Sequence, residues 1–342
     1  MHHSTPARRM TTAAVPATTT TDASVPDACG ALSANIQQVI QGKPEAVRLA
    51  VVCLLAGGHL LIEDVPGLGK TSLARSLARS IDGAWRRIQF TPDLLPSDVT
   101  GVTIYNQGTG KFEFHPGPVF ANVVLADELN RATPKTQAAL LEVMEELRVT
   151  VDGQPYDLTP PFMVIATQNP IDMDGTYRLP EAQLDRFLMR ISMGYPDHDA
   201  EVRVLNGERA GVSPDDLPAV IQLPEVERLI EEAHAVRVDP EISSYAVRLA
   251  AATRKHPLLR LGASPRATLG LIKAARAWAF TAGRSYVTPD DLKAVALTVF
   301  SHRLIVTPDA EIQGRSSAEV VEQVLREVPV PQGNAVGVGV GT

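Results

Sequence analysis

The sequence predicts an α/β protein: a doubly wound parallel sheet followed by a C-terminal α-helical lid domain. Three features carry that expectation. Short apolar runs at His59-Leu60-Leu61-Ile62, Val123-Val124-Leu125-Ala126, Phe162-Met163-Val164-Ile165-Ala166 and Arg190-Ile191-Ser192-Met193 have the continuous character of strands covered on both faces. They alternate with helical segments such as residues 134–146. The first run leads into a glycine-rich loop and then a helix, which places ligand chemistry at the carboxyl ends of the strands. Beyond residue 223 the apolar runs give way to helical periodicity, with proline near the first turn of each segment. A chain of 342 residues exceeds what one core usually holds, so one large and one smaller unit are expected.

Taken in order, residues 1–30 hold a Thr- and Ala-rich stretch without a compact apolar segment and are expected to be a disordered leader. The α/β unit is expected over 31–198. It opens with Ile36, Val39 and Ile40 at helical spacing, then a helix with Pro44 in its first turn and Val47, Val51 and Leu55 on one face. Gly57 and Gly58 end that helix before the first buried strand. After the glycine-rich loop, Leu73, Leu77 and Ile81 recur at i, i+4 and i+8, the stripe of a helix packed on one side. Two stretches interrupt the alternation, 102–114 around Asn106-Gln107-Gly108-Thr109-Gly110 and 148–158 around Asp152-Gly153, and both read as β-hairpins. Residues 199–223, with Pro214 and Pro218, read as a connector. The lid is expected over 224–328, with helices at 224–235, 240–255, 265–282 and 289–302, and the Gly- and Val-rich 329–342 as a flexible tail.

Composition excludes several classes. A net charge of −7 gives no basic footprint, so no stable nucleic-acid binding is expected. Cys29 and Cys53 are too few for a disulfide framework or a cysteine metal cluster, and that usage fits a reducing cytoplasm. No apolar run approaches the ~18 to 20 residues that span a bilayer, so no transmembrane segment is expected.

The chemistry is concentrated after the first strand. Pro66-Gly67-Leu68-Gly69-Lys70-Thr71 lies between a buried strand and an amphipathic helix, the setting of a phosphate-binding loop. Backbone N–H groups and the helix dipole cradle phosphates, Lys70 reaches the β- and γ-phosphates, and the Thr71 hydroxyl can join a Mg²⁺ shell. The strict pattern places a glycine where Asp64 stands, and Gly67 can supply the flexibility instead. The strand 123–126 ends in Asp127-Glu128. An acidic pair at a strand end is usually a solvated cap, but beside a phosphate loop Asp127 suits a metal shell and Glu128 suits polarising water. Thr167-Gln168-Asn169 ends another buried strand. Local sequence leaves Asn169 open between a turn former before Pro170 and a neutral amide that orients the attacking water. Arg186, in Leu184-Asp185-Arg186-Phe187, reads locally as a surface ion pair or as a cation reaching a neighbouring subunit's phosphate. Arg266, in Ser264-Pro265-Arg266, reads locally as helix-terminal charge or as a reporter of phosphate to the lid.

These segments resemble the MoxR-type AAA+ ATPases, close to the helix-2-insert branch that contains magnesium chelatase ATPase subunits. The resemblance runs from about Ile36 to His302. It is carried by Glu63-Asp64-Val65-Pro66-Gly67-Leu68-Gly69-Lys70-Thr71, Asp127-Glu128-Leu129-Asn130-Arg131-Ala132, Ala166-Thr167-Gln168-Asn169-Pro170 and Leu179-Pro180-Glu181-Ala182-Gln183-Leu184-Asp185-Arg186-Phe187. It implies that Glu63, Asp64, Pro66, Gly67, Leu68, Gly69, Lys70, Thr71 and Ser72 hold ATP and that Thr71 and Asp127 hold Mg²⁺. It further implies that Glu128, Asn169 (sensor one) and Arg186 (arginine finger) serve catalysis, and that Arg266 is sensor two, in its own subunit or across an interface. The hairpins correspond to the helix-2 and pre-sensor-one inserts. A homo-oligomeric ring, a hexamer, is implied, as are a von Willebrand factor A domain partner and a protein client remodelled in chaperone fashion. A nucleotide-gated scaffold with slow turnover and a nucleic-acid translocase are the alternatives that the same residues allow.

Overall fold

The computed structural model describes residues 25–65, 67–169, 177, 179–195, 198, 202 and 212–331. In chain order these form α1 (Val25–Gln37), α2 (Pro44–Leu55), β1 (Leu60–Glu63), α3 (Lys70–Ser80), β2 (Trp85–Gln89), α4 (Pro96–Thr100), β3 (Gly101–Asn106) and β4 (Lys111–Pro116). There follow β5 (Val123–Asp127), α5 (Pro134–Glu146), β6 (Arg148–Val151), β7 (Gln154–Asp157), β8 (Met163–Gln168), α6 (Glu181–Leu184) and β9 (Met189–Ile191). The helical part comprises α7 (Leu223–Ala235), α8 (Pro240–Arg254), α9 (Pro265–Thr281), α10 (Pro289–Phe300), α11 (Pro308–Ile312) and α12 (Ser317–Glu327), with the short strands β10 (Leu259–Leu261) and β11 (Ile305–Val306).

The main sheet has the order β2-β5-β8-β1-β9, and every pairing in it is parallel. The expected strands form it, because β5 and β8 are apolar on both faces and buried over Val123–Ala126 and Met163–Thr167. Since all five strands point the same way, Glu63, Asp127 and Gln168 end at one edge of the sheet. The strand β2 was not expected: Arg86, Arg87 and Gln89 are exposed and only Ile88 is fully buried, so this edge strand carries no apolar run. Both hairpins form in antiparallel register, β3 with β4 and β6 with β7.

The helical part differs from expectation at both ends of the chain. Helix α1 begins at Val25, inside the segment expected to be a disordered leader through residue 30, and Cys29 on it is buried beside Leu32 and Ile36. After the four expected lid helices come two more, α11 and α12. The second is signalled by the Ser316/Glu319 capping box and by Val320, Val321 and Val324, which are buried. One apolar cluster joins α1, α2 and α3, one face of the sheet, and lid helices α7 to α10; a second cluster fills the other face against α5. Arg48 on α2 places its guanidinium 3.6 Å from the centroid of the Trp278 ring on α9. The end of the connector is tied to α3, where the Ser80 carbonyl accepts from the backbone N–H groups of Val220 (2.9 Å) and Ile221 (3.2 Å). Among the described residues no helix is long and apolar enough to cross a membrane.

Candidate nucleotide site

The loop after β1 is shaped by two glycines. Gly67 and Gly69 both have φ of +86°, a left-handed conformation in which a side chain would be strained, and Gly69 immediately precedes α3. Asp64, standing where the strict pattern has glycine, has a structural use. Its Oδ2 accepts from Ser192 Oγ (2.9 Å), Met193 N (2.6 Å) and Gly194 N (2.9 Å), tying the base of the loop to the exit of β9. Its carbonyl accepts from Lys70 Nζ at 2.6 Å. Pro66 lies outside the described residues. Leu68 packs against the main core rather than lining the cavity.

A cavity of about 410 Å³ opens above the loop and is lined by Gly67, Gly69, Lys70, Thr71, Ser72, Asp127, Glu128 and Asn169, together with Arg87, Gln89 and Thr167. The parallel strands bring these groups together from distant parts of the sequence. Burial pushes the Lys70 ammonium below its ordinary range, and the carboxylates of Asp64, Asp127 and Glu128 work against that shift. Asp127 Oδ1 accepts from Thr167 Oγ1 at 2.6 Å, while Oδ2 accepts from Arg87 Nε (3.1 Å) and Nη2 (2.5 Å). Glu128 adopts left-handed φ and ψ of 56° and 46°, a conformation that costs a non-glycine residue about 1 kcal/mol or more. Its Oε2 accepts from Gln89 Nε2 (2.7 Å) and Arg131 Nη1 (2.8 Å). The donor set fits Mg²⁺: the Thr71 hydroxyl and the Asp127 carboxylate share the cavity, and a hard cation that keeps waters and phosphate oxygens needs few protein oxygens.

Three of the expected residues lie elsewhere. The Glu63 carboxylate accepts from Arg190 Nη1 at 2.6 Å and lines a separate cavity of about 840 Å³ between the sheet edge and the lid, which meets the first cavity at Asn169. The reason is the neighbouring strand β9, whose arginine draws the side chain away from the loop. Arg186 and Arg266 are together, but not at their own chain's phosphate loop. Arg186 Nε donates to Glu145 Oε2 at 2.8 Å and Arg266 Nη1 donates to Glu145 Oε1 at 3.2 Å. The Ser264 cap starts α9 against the far end of α5, so its first turn cannot reach the loop; Arg186 and Arg266 line another cavity, of about 530 Å³. Glu145 is held below the usual carboxylate range, first by the Arg186 hydrogen bond.

Sequence reading missed Arg87 and Gln89 with the strand that carries them; the available signal was their i, i+2 spacing beside an apolar partner, Ile88. It also missed Glu145, one acidic residue among several on an amphipathic helix, for which no local signal exists.

A parallel sheet with a glycine-loop cavity at its carboxyl edge and a C-terminal helical lid defines an AAA+ ATPase. Residues 59–189 match the family model described as ATPase family associated with various cellular activities (AAA), and residues 251–324 match the AAA lid domain. An uncharacterised Bacillus subtilis protein, YeaC, is 48% identical over 87% of this chain and 93% of its own length. Chaperone MoxR1 of Mycobacterium tuberculosis is 44% identical over 88% of this chain and 82% of its own. A solved structure from Cytophaga hutchinsonii, of a protein proposed to be an ATPase, superposes with a TM-score of 0.84 at 38% identity, covering 90% of this chain and 96% of that one. The chain belongs to the MoxR family of AAA+ ATPases.

Proposed function

We propose that the chain hydrolyses ATP in a homo-oligomeric ring, hexameric and cytoplasmic, in which each copy completes its neighbour's site and turnover drives chaperone-like work on a protein client. The observation that carries this reading is the separation of charges. Lys70, Asp127, Glu128 and Asn169 line one cavity, while Arg186 and Arg266 are held together on Glu145 outside it. Arg87, which does line the cavity, is engaged by Asp127, so an arginine for the transferring phosphoryl group is drawn from a second copy. In this reading Lys70 and the loop N–H groups hold the phosphates, Glu128 polarises the attacking water and Asn169 orients it. Thr71 and Asp127 would hold Mg²⁺, which when bound neutralises phosphate charge. Arg186 and Arg266 both act across the interface.

The client and a von Willebrand factor A domain partner rest on likeness, including that to a relative named as a chaperone. The paired hairpins give that work a surface: Phe112 is 74% exposed at the tip, edge-on to Tyr105 with ring centroids 5.2 Å apart. One observation favours a nucleotide-gated scaffold instead, namely that Asp127 and Glu128 are both engaged by arginines of their own chain.

The decisive test measures ATPase rate against protein concentration for the wild-type chain and Arg186→Ala, with sizing at each concentration in nucleotide. Specific activity is expected to climb with assembly and to fall roughly 10³-fold in the variant. A rate independent of concentration and unaffected by the substitution supports the scaffold.

A further inference from the structure

The segment that carries Arg186 is held to the lid by one buried side chain. Arg303, just past the end of α10, is 6% exposed. Its Nε donates to Asp185 Oδ1 at 2.5 Å, its Nη2 donates to the carbonyls of Asp185 (3.1 Å) and Phe187 (2.6 Å), and its Nη1 donates to the carbonyls of Leu188 (3.1 Å) and Val299. A guanidinium has about five N–H donors, so none is left over, and all but one of these bonds end on residues 185–188. Two neighbours add to the grip: His302 Nε2 donates to the Phe187 carbonyl at 3.0 Å, and Ser264 Oγ donates to Asp185 Oδ2 at 3.2 Å.

Apolar residues of similar volume would serve stability at least as well as a buried ion pair, so the pair is better explained by the geometry it imposes. That geometry is specific. The backbone on either side of Arg186 is fixed to the lid, while among the described residues the Arg186 side chain is held by a partly exposed ion pair with Glu145. Exposed pairs are worth about 1 kcal/mol or less, so the side chain is free to leave while its base stays in place.

We propose that Arg303 is a positioning residue for ATP hydrolysis: it makes the lid and residues 185–188 one body, so that any movement of the lid changes where Arg186 stands relative to the neighbouring copy's nucleotide. This rests on the reading of Arg186 as a residue that acts across the interface.

The test uses mixed assemblies of full-length chains. Glu128→Gln copies offer Arg186 but cannot turn over, whereas Arg186→Ala copies have an intact cavity and no finger to offer. Mixing the two is expected to restore turnover. Arg303→Lys is then added to one partner at a time. Lysine keeps the charge beside Asp185 but presents all its donors from a single point, so it cannot reproduce the fork. In the Glu128→Gln partner it should lower the restored rate by about tenfold or more, and in the Arg186→Ala partner by less than about twofold. Asp185→Asn, which keeps the carbonyl contacts, serves the same comparison if Arg303→Lys does not fold. Equal losses in both placements would make Arg303 a stability residue and overturn the proposal. So would an undiminished rate with the substitution in the finger-donating partner. No turnover in the parent mixture would instead overturn the finger reading itself, and this proposal with it.

Discussion

In the proposed reaction Glu128 polarises the attacking water, so its setting bears on the basal rate of turnover. It stands at the end of β5 in a left-handed conformation, and Gln89 and Arg131 both donate to its Oε2. A carboxylate that accepts two such bonds is not free to swing toward water. Gln89→Ala removes one hydrogen bond to a carboxylate, worth about 1.5 kcal/mol, so basal phosphate release at saturating nucleotide should rise about tenfold. A fall in turnover would make Gln89 an orienter of Glu128 rather than its restraint. His59 supplies a separate prediction. Its Nδ1 accepts from Val164 N at 3.0 Å and its Nε2 meets the Met144 carbonyl at 3.1 Å, so the ring is locked in its neutral form. Burial lowers its pKa from 6.5 to about 4, and the buried His302 is shifted in the same direction, also by burial. Below the unfolded value the unfolded chain takes up a proton that the native His59 refuses. Stability is therefore whole above pH 6.5 and declines toward pH 4, by roughly 3 kcal/mol for His59 alone. Urea unfolding at pH 7 and pH 5, for the wild type and His59→Gln, checks this; an equal pH dependence in both would assign it to other groups. Lys70, Asp127 and Glu128 were legible because loop, strand end and acidic pair are local patterns. Gln89, Arg87 and Glu145 were not, since each is defined by a partner on another element.

Among the elements, the hairpins were legible from their turn residues, but their mutual contact was not. The Phe114 ring of β4 stacks on the Tyr156 ring of β7 with centroids 4.0 Å apart and 22° between planes, joining two inserts that are 42 residues apart in sequence at these positions. The contact makes the inserts one platform beneath the exposed Tyr105 and Phe112. Such a stack is worth about 1 kcal/mol beyond burial, so Tyr156→Ala should weaken hydrogen-exchange protection in β3 and β4 about fivefold and leave β5 and β8 unchanged. Unchanged exchange in β3 and β4 would show that each hairpin is supported by its own base. The edge strand β2 escaped notice for a different physical reason. Strand periodicity becomes visible when burial selects apolar residues, and on β2 burial selects little beyond Ile88.

At the scale of the whole molecule, the α/β part and the lid helices are packed on a shared core. The lid helices α7 to α10 share one apolar cluster with α1, α2 and the near face of the sheet, and Arg303 binds the lid to residues 185–188 from the other side. A chain cored in this way has no apolar seam along which lid and sheet can part cheaply. In the proposed ring, movement is therefore placed between copies, at the face where Glu145 and Arg266 are exposed and Arg186 is half-buried, with the lid and residues 185–188 of each copy moving together. Unfolding reports on this directly. Trp278→Ala trims a partly buried ring at the lid-to-α2 contact and should cost about 2 kcal/mol, lowering the melting temperature by roughly 4 °C. Because lid and sheet share a core, calorimetry should show a single transition that shifts as a whole, with tryptophan fluorescence and far-ultraviolet dichroism coinciding. If Trp278→Ala instead splits off an early transition while the rest melts at the wild-type temperature, the lid is an independent unit, and motion within each copy becomes the better account of how hydrolysis is converted into work.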